Sequence, residues 1–92
     1  MDELDLTAAL SALAQPTRRE IFLTIARKKG GMNSTQIAEA TGTPPNGTST
    51  HLTVLRNAGL VTAMRTGRTV NYTARADAIR KIIRILEGAI KA

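Results

Sequence analysis

Ninety-two residues, 42% of them apolar, allow one domain with a modest core, and chains this short often gain stability by pairing with a copy of themselves. The absence of cysteine removes disulfides, thiolate metal ligation and thiol redox chemistry, and with no run of about 18 apolar residues and no export signal the expectation is a cytoplasmic protein without a membrane partner. The net charge of +6 is uneven: residues 1–14 hold −3 through Asp2, Glu3 and Asp5 and the remainder holds +9, which fits a polyanion bound through counterion release.

One Tyr, one Phe and no Trp leave little to stack on unpaired bases, so duplex DNA is a better candidate than single strands or RNA loops. A single His and no clustered carboxylates provide neither a nucleophile with its base nor a paired acid and base, so no enzyme is expected. The charge alone is also compatible with a basic protein that binds no nucleic acid.

Leu4 to Ala14 reads as a first helix, with Leu6, Ala9, Leu10 and Leu13 at helical spacing and acids at the amino end, where the helix dipole favours them. Gln15 and Pro16 interrupt it. From Thr17 to Lys29 a second helix places Ile21, Phe22, Ile25 and Ala26 on one face and ends in Arg27, Lys28 and Lys29, before Gly30 and Gly31. That basic run either stabilises a helix carboxyl end on a solvated face or reaches phosphate.

Met32 is read as a brief strand. Asn33 with Gln36 three residues on has capping-box character and opens a short helix through Ile37, Ala38 and Ala40 to Thr41, which Gly42 ends. Gly42 and Thr43 turn the chain into the next helix, Pro44 to Ala58, closed by Gly59. Two short helices joined by a tight glycine-containing turn make a helix-turn-helix, whose second member enters a major groove.

This second helix has two different faces. Thr48, Leu52, Leu55 and Ala58 lie on one side with His51 beside them, and Asn46, Ser49, Thr50, Thr53 and Asn57 on the other. A helix selected only for solubility would carry Glu and Lys outside, since these are better helix formers. Short uncharged donors and acceptors suit close approach to base edges, although an ordinary threonine-rich surface helix has the same composition.

After Gly59, Leu60–Met64 and Thr69–Thr73 read as a hairpin, with Val70 and Tyr72 on one face and Thr69, Asn71 and Thr73 on the other. Behind a helix-turn-helix such a hairpin is a wing. Its tip offers Arg65 and Arg68 around a glycine, guanidiniums suited to phosphate or a narrow minor groove, or else to keeping a hairpin tip soluble. The last helix, about Ala76 to Ala89 with Asp77 at its start, carries Ile79, Ile82, Ile83, Leu86 and Ile90 in one stripe that Ile85 and Ala89 widen. Either its own core absorbs that stripe or the terminal helices of two subunits pack across a two-fold axis, the arrangement expected here.

The run T-S-T-H-L-T-V-L-R-N-A-G-L-V, followed by R-T-G-R-T-V-N-Y and preceded by A-Q-P-T-R-R-E-I-F, resembles the ArsR/SmtB family of winged helix-turn-helix transcription regulators over about Leu10 to Leu86. The resemblance implies a homodimer that binds an operator through two recognition helices, with DNA contacts at Asn46, Ser49 and Thr50, His51 beside them, and Arg65 and Arg68 in the wing. Where that family's metal sensors carry Cys-x-Cys, this chain has Asn33, Ser34 and Thr35, and the last helix offers Asp77 and Glu87 without a histidine. Too few ligands remain for Zn²⁺, and the persulfide and arsenite branches also need cysteines, so no metal and no cofactor is expected.

The combined expectation is a mainly α (α+β) fold: a winged helix-turn-helix of five helices with a β-hairpin wing before the last helix. One domain spans residues 1–92, with dimerisation helices at about 4–14 and 76–90. The function expected is that of a homodimeric, sequence-specific DNA-binding regulator, a repressor on an inverted repeat. Asn46, Ser49, Thr50 and Thr53 would read bases directly or through water, and Arg56, Arg65 and Arg68 would hold phosphates. His51 is either a DNA contact or a packed histidine. Leu6, Leu10, Leu13, Ile82, Ile85, Leu86 and Ala89 would form the dimer seam. The alternative is a winged-helix module that docks proteins without sequence-specific DNA binding. Neither the operator nor an effector, whether small molecule or protein, is legible.

Overall fold

Asp5 sets the first boundary. Its carboxylate accepts the Ala8 N–H at 3.0 Å, and helix α1 runs Leu6–Ala14, two residues later than its apolar spacing predicts. The computed structural model describes residues 4–91, so Asp2 and Glu3 of the expected acidic lead lie outside the described residues.

Gln15 alone separates α1 from helix α2, Pro16–Arg27, and its side chain accepts the Arg18 N–H at 2.6 Å while Pro16 fills the first helical position. The chain turns there, and α2 supplies the partners that the last carbonyls of α1 lack. Arg18 Nε donates to Ala12 O at 2.8 Å and Arg18 Nη2 to Ser11 O at 3.4 Å, while Arg19 Nη1 donates to Leu13 O at 2.9 Å and Ala14 O at 3.4 Å. Ile21, Phe22 and Ile25 are buried, but Ala26 is exposed, contrary to the sequence reading. It falls about 40° past Phe22 around the helix, beyond the strip that the core covers.

Strand β1, Met32–Asn33, leads into helix α3, Ser34–Thr41, through the expected capping box: Asn33 accepts the Gln36 N–H and Gln36 accepts the Asn33 N–H, both at 2.9 Å. Gly42 ends α3 at φ +67°, a left-handed conformation that glycine adopts without strain. Helix α4, Pro45–Asn57, follows after Thr43 and Pro44.

Strands β2, Val61–Thr66, and β3, Thr69–Ala74, extend beyond the predicted hairpin and leave only Gly67 and Arg68 between them. Arg65 therefore lies in a strand, opposite Val70, rather than in a turn. The sheet is antiparallel with order β1-β3-β2, since Met32 and Asn33 pair with Tyr72 and Asn71. Helix α5, Ala76–Lys91, ends the described chain, and none of the described helices is long and apolar enough to cross a membrane.

The core is built from Ile21, Ile25, Ile37, Leu52, Leu55, Leu60 and Val61, all essentially inaccessible. Helix α1 buries Ala9 and Ala12, with Leu6 and Leu13 half-buried against the core and Leu10 exposed, and α5 buries Ala78 and Ile82. From Ile83 to Lys91 every residue is exposed.

Candidate nucleic-acid interface

A short hydroxyl network holds the turn between α3 and α4. Thr41 Oγ1 donates to Ile37 O at 2.8 Å and lies 2.8 Å from Thr43 Oγ1, while the buried Thr48 donates to Pro44 O at 3.0 Å. Thr48 Oγ1 also reaches Thr43 O at 3.4 Å, so the turn is tied to the first turn of α4, and burial makes the loss of such bonds costly. An open groove of about 490 Å³ separates the two helices, lined among others by Ser34, Glu39, Pro44 and Ser49. Asn33, which stands where the resembled metal sensors place a thiolate, is engaged as the helix cap. Among the described residues no three His, Asp or Glu side chains gather as a cation site would require.

Leu52, Leu55 and Thr48 are the buried side of α4, with Ala58 just beyond its end. Asn46, Ser49, Thr50 and Thr53 are exposed together on the opposite side, with Arg56 exposed on one flank. Thr50 Oγ1 donates to Asn46 O and Thr53 Oγ1 to Ser49 O, each at 3.1 Å.

His51 sits on the other flank, half-buried, its Nδ1 at 3.5 Å from Arg18 Nη1. A guanidinium only donates, so toward Arg18 the ring nitrogen Nδ1 can serve only as an acceptor. The His51 ring is partly packed and partly open. Arg18 thus ties the end of α1 to the flank of α4, a role the sequence reading missed. Its partners in α1 lie six and seven residues back, outside any local pattern.

The wing is fixed at its base. Asn71 Nδ2 donates to Gly30 O at 2.8 Å, and Gly31, at φ +90°, lies so close to β3 that a Cβ there would come within 2.7 Å of both Tyr72 O and Thr73 Cγ2. Thr62 and Thr73 hydroxyls pair across the hairpin at 2.9 Å. Arg65 and Arg68 are both exposed toward the tip, and Met64 beside them is 71% exposed.

Of the side chains expected at a dimer seam, Leu6 and Leu13 are half-buried and Ala89 is exposed. Leu10, Ile85 and Leu86 are 42%, 41% and 47% exposed. Ile82 differs: it is 7% exposed and packed in its own subunit's core, so it has little surface left for a partner. Ile83 and Ile90, at 54% and 83% exposed, carry the open apolar surface instead. The basic side chains of α2's end are exposed, and Arg27 faces Glu20 at 3.7 Å, which favours the solvated-face reading of that run.

Residues 13–62 match the helix-turn-helix domain family. The HTH-type transcriptional regulator NmtR of Mycobacterium tuberculosis is 39% identical over 66 residues, which are 72% of this chain and 53% of that protein, so the chain spans about half the length of the relative. An ArsR-like transcriptional regulator from Rhodococcus sp. RHA1 superposes with a TM-score of 0.84 at 27% identity over 91% of this chain and 77% of that one. The homodimeric winged helix-turn-helix DNA-binding domain of a possible ArsR-family transcriptional regulator from Mycobacterium bovis superposes with a TM-score of 0.73 at 29% identity, covering 92% and 78% of the two chains.

Proposed function

The chain belongs to the helix-turn-helix domain family and, within it, to the DNA-binding winged helix-turn-helix transcriptional regulators of the ArsR/SmtB type, and from that membership we propose a homodimeric repressor that occupies an inverted-repeat operator. The observation that carries this reading is the exposed, uncharged polar face of α4, formed by Asn46, Ser49, Thr50 and Thr53, beside a wing that presents Arg65 and Arg68. Side chains of that length and chemistry suit a helix lying close against base edges. Guanidiniums at the wing and at Arg56 would neutralise phosphates, positioning the helix without reading sequence. His51, half-buried beside Arg18, would add one ring nitrogen at the flank.

Dimerisation follows from the surface left bare. Ile83, Ile85, Leu86 and Ile90 on α5 and Leu10 on α1 are open to water, and each half-exposed aliphatic side chain covered by a partner contributes on the order of 1 kcal/mol. A two-fold seam of these helices would set two α4 helices about 34 Å apart, one turn of the duplex. Occupancy of such an operator would exclude other proteins from the same stretch of DNA, and in this reading that exclusion is the repression.

The test is selection of bound duplexes from a random pool by the full chain at physiological salt. A palindromic motif with half-sites about 10 base pairs apart is the expected result. Retention of DNA without any enriched sequence would overturn the regulator reading in favour of a sequence-blind basic domain.

A further inference from the structure

Resting on the regulator reading, we propose that Thr50 and Thr53 recognise thymine through their methyl groups, making the C5-methyl of thymine a determinant of the operator half-site. Each hydroxyl has one hydrogen, and in both residues it is already engaged by the helix: Thr50 donates to Asn46 O and Thr53 to Ser49 O, at 3.1 Å. With the donor turned back on the backbone, each exposed side chain offers outward its methyl and the remaining lone pairs of its oxygen. A threonine methyl is one of the groups that packs on thymine C5-methyl in the major groove.

The rest of the helix face agrees. Between Pro45 and Leu55 there is no Arg, Lys or Gln, so the bidentate pairing that reads guanine has no side chain to make it in the part of α4 that would enter the groove. Asn46 has the amide suited to adenine N6 and N7. Thr50 and Thr53 are one helical turn apart, about 5–6 Å between Cβ atoms, and base pairs rise about 3.4 Å. The two methyls therefore reach base pairs one or two steps apart.

The experiment uses the full chain and the duplex enriched from the random pool. Each thymine of a half-site is replaced in turn by deoxyuridine, which removes only the C5-methyl and leaves the pairing edge intact. Affinity is expected to fall about fourfold at one or two positions per half-site, the effect of withdrawing one buried methyl. Thr50→Val and Thr53→Val, which keep a methyl and lose the hydroxyl, should retain both affinity and deoxyuridine sensitivity. Thr50→Ser and Thr53→Ser, which keep the hydroxyl, should lose about fourfold on the thymine duplex and become indifferent to deoxyuridine at the matching position. The opposite pattern, serine variants intact and valine variants weakened, would assign recognition to the hydroxyls and overturn the inference. A preferred duplex indifferent to every deoxyuridine overturns this inference alone, whereas a pool with no preferred duplex overturns the regulator reading and this inference with it.

Discussion

Gly31→Ala should be far more damaging than Gly30→Ala, although both glycines have φ near +90°. An alanine at either position carries the left-handed penalty of about 1–2 kcal/mol. At Gly30 nothing lies within 4 Å of the added Cβ, so the loss should stop there. At Gly31 the Cβ would meet the Asn71 amide, Thr73 Cγ2 and Tyr72 O, the last two at 2.7 Å. Tyr72 pairs with Met32 on one side and Ala63 on the other, which leaves that carbonyl no room to retreat. Overpacking of this kind costs about 1–3 kcal/mol, and displacing Asn71 from Gly30 O adds about 1 kcal/mol for the lost hydrogen bond. The expected losses are roughly 1–2 kcal/mol for Gly30→Ala and roughly 3–6 kcal/mol for Gly31→Ala. Urea unfolding at matched protein concentration measures both, and thermal midpoints should separate by about 4–8 °C per kcal/mol for a domain of this size. Equal losses from the two variants would refute the claim that the wing is seated on the turn after α2.

Other expectations follow from the same contacts. Arg18→Ala uncaps Ser11 and Ala12 and frees His51, so unfolding free energy should fall by about 1–3 kcal/mol, with Arg18→Lys only partly restoring it; an unchanged midpoint in denaturant would deny the cap any energetic role. Leu86→Glu places a charge on a side chain 47% exposed in the single subunit, so the fold should survive while sedimentation shifts from dimer to monomer and operator affinity drops; a dimer unchanged at micromolar concentration would exclude α5 from the seam. Arg68→Ala should weaken binding to cognate and random duplexes alike and reduce the salt slope by about one, whereas a cognate-only loss would make Arg68 a base reader. The Arg75 guanidinium, bonded to Asp77 at 2.8 Å, holds that carboxyl below its ordinary value of 3.8. A depressed folded value means that the stabilisation is present above the ordinary range and lost as pH falls through the folded one. The melting-point gap between the native chain and Asp77→Asn should therefore be open at pH 7 and close below about pH 4. High salt should shrink it, because the pair is exposed.

Much of the site was legible because its signals are local. The Asn33–Gln36 capping box, Gly42 at the end of α3 and the proline opening α4 each involve partners within four residues. The division of α4 into Leu52 and Leu55 on one side and Asn46, Ser49, Thr50 and Thr53 on the other follows from helical periodicity alone. The wing was legible as a hairpin, but its extra residues and its attachment to β1 were not, because Met32 pairs with Tyr72 across thirty-nine intervening positions. His51 lay at the boundary of the two faces, and only the approach of Arg18 from α2 settled how its ring is held.

The sequence by itself determined the kinds of elements, their order, the turn joining α3 to α4 and the neutral chemistry of the outward face. Periodicity and capping act within one or two turns, and any fold must respect them. Only the tertiary structure decided which apolar residues the subunit consumes. In α1 the small Ala9 and Ala12 face the core and Leu10 does not, and in α5 Ile82 turns inward while Ile83 and Ile90 stay bare. Both helices are apolar over a wider arc than one core can cover, and which part is covered depends on the angle at which distant segments dock.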